Sequence, residues 1–335
     1  MRAACHHASV TSNPTPAVLA TYTRSGFREG VHVGHAVVVD PSGRVAAAWG
    51  DPDHVIFPRS SNKPAQAIAM VECGLDVPEQ LLALCAASHS GEPMHLDAVE
   101  RLLALGGLTP AALQTPPDFP LDEQERDVWV REGRGPAPIA MNCSGKHSGM
   151  LVTCVVNGWP TATYREPGHP LQQAIRGTVE RLAGEPVAHV GVDGCGAPVM
   201  SLTLAGLARS VSSARQADPS TPDGRVIAAM TAHPELVGGS RRDVTRFMRA
   251  VPGLVAKDGA EGVYVVALAD GTGVAIKVED GSDRARQVAL AAILVRLGVA
   301  PESLADLLTI PMLGGGGRVG EVRAALGDET HANSR

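Results

Sequence analysis

Aromatic residues make up only 3 % of this 335-residue chain. Its core must therefore be filled by Ala, Val, Leu and Ile, and the 37 glycines and 25 prolines point to many tight turns. No run approaches the ~18 consecutive apolar residues that cross a bilayer, so no membrane partner is expected. A basic surplus is also missing. The formal net charge is −6, which argues against a dedicated nucleic-acid binder. Residues Met1 to Pro16 carry no basic region followed by an apolar stretch, so no signal peptide is expected. The six cysteines then read as thiols in a reducing compartment, and the cytoplasm is the expected location. With 44 % hydrophobic and 19 % charged residues, the composition is that of a globular protein.

Lysine is scarcest among the charged types. Of 29 basic residues only four are Lys: Lys63, Lys146, Lys257 and Lys277. Where such a chain keeps an amine, a chemical reason is worth seeking. A buried lysine can give up its proton, whereas a guanidinium cannot.

Hydrophobic periodicity predicts strands between Val18 and Trp49, with a turn at Asp40-Pro41-Ser42-Gly43. A helical pattern runs from Ser60 to about Leu105. Pro-rich connectors span Thr109 to Pro120 and Arg134 to Pro138. Helices are predicted at Lys146–Val156, Pro170–Leu182, Val199–Ser210, Arg225–Thr231, Arg242–Val251 and Ala285–Leu297. Val187–Val192 reads as a short buried strand. Gly262–Leu268 and Gly273–Val278 read as two more, with Asp270-Gly271 in the turn between them. The expected fold is α+β, with one antiparallel sheet built from both chain ends, helices packed on it and a helical middle region. Residues 17–326 are expected to form one domain, flanked by tails at 1–16 and 327–335. Serine β-lactamases and penicillin-binding proteins share that layout.

Several segments could carry chemistry. In Ser60-Ser61-Asn62-Lys63, spacing i, i+3 places a hydroxyl and an amine on one helix face. A neutral Lys63 could take the Ser60 proton. The plainer reading is a capping serine followed by a solvated lysine. Ser88-His89-Ser90-Gly91 is either a loop supplying a second hydroxyl or a helix end and turn. Lys257-Asp258-Gly259 offers a second amine, and its glycine leaves room for substrate backbone; the plainer reading is a surface turn. Cys143-Ser144-Gly145-Lys146-His147 and Asp193-Gly194-Cys195-Gly196 bring two thiols from separate segments. Spacing alone favours structural thiols, with His147 the more conventional extra metal donor. Cys5, Cys73, Cys85 and Cys154 read as packing. The double glycine of His233-Pro234-Glu235-Leu236-Val237-Gly238-Gly239 suggests close backbone approach, to a ligand or to another strand. Gly314 to Gly317 is a flexible run and not a phosphate loop.

Taken in order, these segments resemble the class 3, rhizobial-type L-asparaginases, the asparaginase II family. The resemblance runs from about Val18 to about Gly320. It implies a serine-β-lactamase-like fold, a homodimer, and hydrolysis of L-asparagine to L-aspartate and ammonia. It further implies two Ser–Lys pairs, Ser60 with Lys63 and Ser88 with Lys257. Zinc would be held by Cys143, Lys146 and Cys195, and Arg59, His147 and Asp193 would line the substrate site. Ser90, two residues from Ser88, competes for the second serine's role. Two other readings stand beside this one: an amide or acyl hydrolase of the same fold, such as a glutaminase, a peptidase or a β-lactam hydrolase, and a non-catalytic amino-acid-binding member.

Overall fold

A computed structural model describes residues 15–327. Three strands come first: β1 (Ala17–Arg24), β2 (Phe27–Val39) and β3 (Val45–Trp49). A short β4 (Val55–Ile56) leads to a 3-10 turn at Arg59–Asn62, then to α1 (Lys63–Glu72), α2 (Glu79–Cys85), α3 (Pro93–Leu105) and α4 (Glu123–Arg131). The middle continues with α5 (Ser144–Asn157), α6 (Pro170–Ala183), β5 (Val190–Val192), β6 (Pro198–Met200) and β7 (Leu202–Thr203). Helices α7 (Leu204–Gln216), α8 (Pro222–Ala232), α9 (Pro234–Gly238) and α10 (Asp243–Ala250) follow. The chain returns to the sheet through β8 (Val255–Gly259), β9 (Val263–Ala267) and β10 (Gly273–Val278). It closes with α11 (Asp283–Arg296), β11 (Thr309–Gly314) and β12 (Gly317–Ala324).

The main sheet runs β11-β12-β1-β2-β10-β9-β8, and its pairs are antiparallel. Both chain ends therefore meet in one sheet, as expected, and the fold is α+β. The long strand β2 makes this possible. Residues 27–34 pair with β1, and Ala36–Val39 pair with β3 beyond it. Helix α7 packs on β2, β9 and β10, while α11 packs on β1, β10 and β12. One apolar cluster of Ala, Val, Leu and Ile runs through these contacts, as the scarcity of aromatics requires.

Several expectations are corrected. The strand read at Val187–Val192 covers only Val190–Val192 and is not buried: Val192 is 80 % exposed. Its strand partner is β6, in a hairpin apart from the main sheet, so only one edge is paired. The helix read from Val199 starts at Leu204, because β6 and β7 take the preceding residues and the Thr203 hydroxyl caps the helix. Gly314–Gly317 is the turn of the β11–β12 hairpin, whose strands the glycines and Pro311 conceal in the sequence. Helix α4 was not anticipated either; it buries only Trp129 and so shows no apolar stripe. No helix among the described residues is long and apolar enough to cross a membrane. Of the expected tails at 1–16 and 327–335, residues 1–14, with Cys5, and 328–335 lie outside the described residues.

Candidate active site

Ser60 sits in the 3-10 turn that precedes α1, held there by local geometry. Pro58 opens the turn, and the Ser61 hydroxyl donates back to Pro58 O at 2.6 Å. Arg59 has φ of +52°, a left-handed conformation that costs a side-chain-bearing residue strain. Its Nε donates to Asp193 Oδ1 at 2.7 Å, which secures that conformation. The Ser60 hydroxyl makes no hydrogen bond to the described residues. Pro64 lies in the first turn of α1, where a missing N–H costs nothing. Lys63 is the first residue of that helix and only 1 % exposed. Its Nζ donates to Ala87 O at 2.6 Å and to Ser88 Oγ at 2.9 Å.

Ser88 belongs to the loop after α2. Its N–H donates to Val237 O at 3.1 Å, and the His89 N–H donates to Asn142 O at 3.0 Å. The neighbouring Ser90 is fully buried and donates to Gly238 O at 2.6 Å. Gly239, at φ of +112°, passes so close that a Cβ would stand 2.2 Å from Ser90 Oγ. The double glycine thus docks the serine loop. Of the two hydroxyls, only that of Ser88 meets a lysine.

The second amine lies on β8, every residue of which is buried. Lys257 Nζ donates to the carbonyl of Asp258 at 2.7 Å and to its Oδ1 at 2.6 Å. Burial pushes Lys257 down to about 7. The Lys63 and Arg242 cations push the same way, against the Asp258 carboxylate. Burial by itself would raise the Asp258 carboxyl, but Arg242, Lys257 and Arg286 outweigh it and hold it well below the usual range. Gly259 is needed by the protein itself. A Cβ there would lie 2.7 Å from Pro58 O and 3.1 Å from Ser61 N, so β8 abuts the Ser60 turn. The chain occupies the space a side chain would take at this glycine, and the glycine itself lines the cavity described below.

These elements enclose a cavity of about 190 Å³ whose walls include Ser60, Ser88, Asn142, Arg242, Asp258 and Arg286. Lys63 and Lys257 stand behind the wall. Arg59, His147 and Asp193 do not line it. His147 is fully buried, and its Nδ1 pairs with Tyr164 Oη at 2.6 Å. Burial pushes its ring down to about 4.

Cys143, Lys146 and Cys195 converge beside this cavity, in a cluster with Met141 and Ala197. Lys146 Nζ is buried and donates to Cys195 Sγ at 3.2 Å, its one hydrogen-bond acceptor among the described residues. The adjacent Cys143 lowers Cys195, helped by the Lys146 charge, while Cys143 is raised by Cys195 and by burial, its own thiol donating to Asn142 Oδ1 at 3.0 Å. Two soft sulfurs and one amine with no oxygen partner suit a borderline cation such as zinc, and three donors leave one position open. A second cluster, His35, His54 and Glu279, does not suit a metal. His35 Nδ1 accepts the Asp51 N–H at 2.8 Å, so its proton stays on Nε2, facing Glu279.

The L-asparaginase II family matches residues 20–324. The chain belongs to that family. This family member is accordingly an amidohydrolase with a small-molecule substrate. No curated protein sequence matches it. Among solved structures it is similar to a β-lactamase from Mycobacterium bovis, at 17 % identity over 82 % of this chain and 94 % of that one, TM-score 0.42. It is also similar to Mglu in its native form, at 14 % over 79 % and 63 %, TM-score 0.42. EstCE1, a hydrolase with promiscuous acyltransferase activity, matches at 12 % over 80 % and 91 %, TM-score 0.39. At these scores the likenesses add nothing to the sheet order described above.

The polar residues of this family member's cavity that escaped the sequence reading are Asn142, Arg242, Asp258, Asp283 and Arg286. Asp258 lay inside a recognised motif but read as a spacer. Arg242 and Arg286 are two among 25 arginines, and nothing in their local pattern separates them from surface cations.

Proposed function

We propose that the protein hydrolyses L-asparagine to L-aspartate and ammonia through an acyl-enzyme on Ser60. The observation that carries this reading is the meeting of Ser60, with its unpaired hydroxyl, and the Lys63-bonded Ser88 at one small cavity. Ser60 Oγ attacks the side-chain amide carbon and yields its proton to Lys63 Nζ. A neutral amine has two N–H groups and one lone pair. The step requires Lys63 in that neutral form, with its Nζ held by Ala87 O and Ser88 Oγ. The backbone N–H groups of Ser60 and Ala260 donate to no described acceptor and would hold the developing oxyanion. The C–N bond then breaks, and ammonia departs with a proton relayed through Ser88. Water attacks the aspartyl ester, returns a proton to Ser60 and releases aspartate. Lys257, with its value near 7, is suited to exchanging protons with this relay at neutral pH.

The cavity suits a single amino acid better than a peptide. Arg286 Nη1 donates to Gly259 O at 2.5 Å and Lys257 Nζ to Asp258 O, so these carbonyls are not available to an added substrate strand. Zinc at Cys143, Lys146 and Cys195 is part of the proposal. Bound there, it would supply a Lewis-acid centre with one open position. Because Ser60 already provides a nucleophile, its expected effect is on site shape and substrate affinity.

The test is ammonia release by the purified protein from L-asparagine beside L-glutamine, with and without added zinc, and with Ser60→Ala as control. Turnover of L-asparagine that vanishes in the variant supports the reading. Absence of ammonia from L-asparagine, with the protein folded and zinc present, overturns it.

A further inference from the structure

Among the described residues Lys257 bonds to no hydroxyl. Both of its hydrogen bonds end on Asp258, one on the carbonyl and one on the carboxylate. The other carboxylate oxygen receives Arg242 Nη2, with Arg286 Nη2 3.7 Å away. Arg242 donates from its remaining terminal nitrogen, Nη1, to Ser88 O at 2.6 Å. One guanidinium therefore ties the loop carrying Ser88 to the carboxylate that holds Lys257. Asp258 is 4 % exposed and Lys257 1 %, so bulk water screens their pairing little.

We propose that Asp258, anchored by Arg242, is a positioning residue for the amide hydrolysis: it fixes the Lys257 amine behind the cavity and sets by its charge how readily that amine releases a proton. The proposal rests on the reading of Lys257 as a member of the proton relay.

The charges around Lys257 pull in opposite directions. Lys63 on α1 and Arg242 ahead of α10 drive its proton off, while Asp258 on β8 retains it. Asp258 also faces Arg286 on α11, Asp243 on α10 and Tyr264 on β9. Removing the carboxylate and removing the guanidinium must therefore shift Lys257 in opposite senses. Loss of Asp258 charge lowers its titration midpoint. Loss of Arg242 raises it, because a cation is gone and Asp258 is left less compensated. A residue that merely holds the fold together would give no such reversal.

The experiment exploits the scarcity of lysine. Protein labelled with carbon-13 at the lysine side chains shows four lysines, and the Lys257 signal is identified by its loss in Lys257→Met. In Asp258→Asn the midpoint of that signal should fall by about one to three pH units, the usual effect of losing a close opposite charge. In Arg242→Gln it should rise. The acid limb of kcat/KM for L-asparagine should move with each, and Asp258→Glu should restore part of the shift. An unchanged midpoint in folded Asp258→Asn, or shifts of one sign in both variants, overturns the proposal. Should one variant fail to fold, the sign of the shift in the other decides. The titration needs no substrate, so opposite shifts in a protein that does not hydrolyse L-asparagine would uphold the Asp258 role and refute the substrate.

Discussion

Lys63 Nζ donates to the Ser88 hydroxyl at 2.9 Å and makes no hydrogen bond to the hydroxyl of Ser60, three residues before it. The local motif thus contributes its amine to a serine 25 residues away. Ser60 is left at the cavity wall with a hydroxyl that bonds to none of the described residues.

The first prediction follows from that division. With a slowly deacylating amide or ester substrate, intact-protein mass spectrometry should show a covalent adduct in the parent protein and in Ser88→Ala, and none in Ser60→Ala. Turnover in Ser88→Ala should fall by about 10² to 10⁴, the usual share of a proton-transfer group. Ser90→Ala should keep its turnover and lose about 1 to 3 kcal/mol of stability, because it strips a buried acceptor, Gly238 O, of its donor. An adduct lost in Ser88→Ala but kept in Ser60→Ala would reverse the assignment.

A second prediction concerns pH. Burial, then Lys63 and Arg242, bring Lys257 down to about 7. If its neutral form serves the relay, kcat/KM should climb as the pH rises through about 7 and level off above. Stability has its own sign. The folded protein binds the Lys257 proton more weakly than the unfolded chain, whose ordinary value is 10.5. The contribution of this group is therefore flat below about 7 and increasingly favourable between about 7 and 10.5. Rate profiles and thermal melts across pH 5 to 10 check both. A kcat/KM that is level from pH 5.5 to 9 removes Lys257 from the relay.

Metal content gives a third. Cys143→Ser and Cys195→Ser should each weaken zinc retention by at least about 10-fold, since even an outer partner of a metal ligand is worth that much. Elemental analysis after dialysis against a chelator measures it. In the affinity-tuning role, KM for L-asparagine rises in both variants while kcat is largely kept. Zinc loss with KM unchanged would leave the metal without that role.

Gly259→Ala is the fourth. Its Cβ would press on Pro58 O and Ser61 N, both in or beside the turn that presents Ser60. Relieving such a contact costs about 1 to 3 kcal/mol. The displaced turn should lower kcat more than it raises KM. Calorimetry and steady-state kinetics on the same sample separate the two effects, and an unaltered kcat would show that β8 does not set the Ser60 position.

Much of the chemistry was legible in the chain itself. Four lysines among 29 basic residues marked out amines, and three of the four, Lys63, Lys146 and Lys257, are only 1 % exposed. Ser60-x-x-Lys63, Ser88-His89-Ser90 and the two cysteine segments could be read because each is a short run of residue types whose chemistry does not depend on neighbours far away. Strand and helix periodicity was likewise enough to bring both chain ends to one sheet. It failed at β11 and β12, where glycine and proline hide the alternation, and at Val190–Val192, where an apolar run lies on an exposed hairpin.

Contacts between distant segments decided the rest. Whether Ser88 or Ser90 meets Lys63 depends on how Gly238 and Gly239 dock that loop, more than 140 residues later. That Lys257 rests on Asp258, and Asp258 on Arg242 and Arg286, follows from the packing of β8 against the start of α10 and against α11. Residue type fixes what a side chain can do, but a proton is held or released by the charges within a few ångströms. In a folded chain those charges come from whichever segments the sheet order brings together, and no local spacing records that.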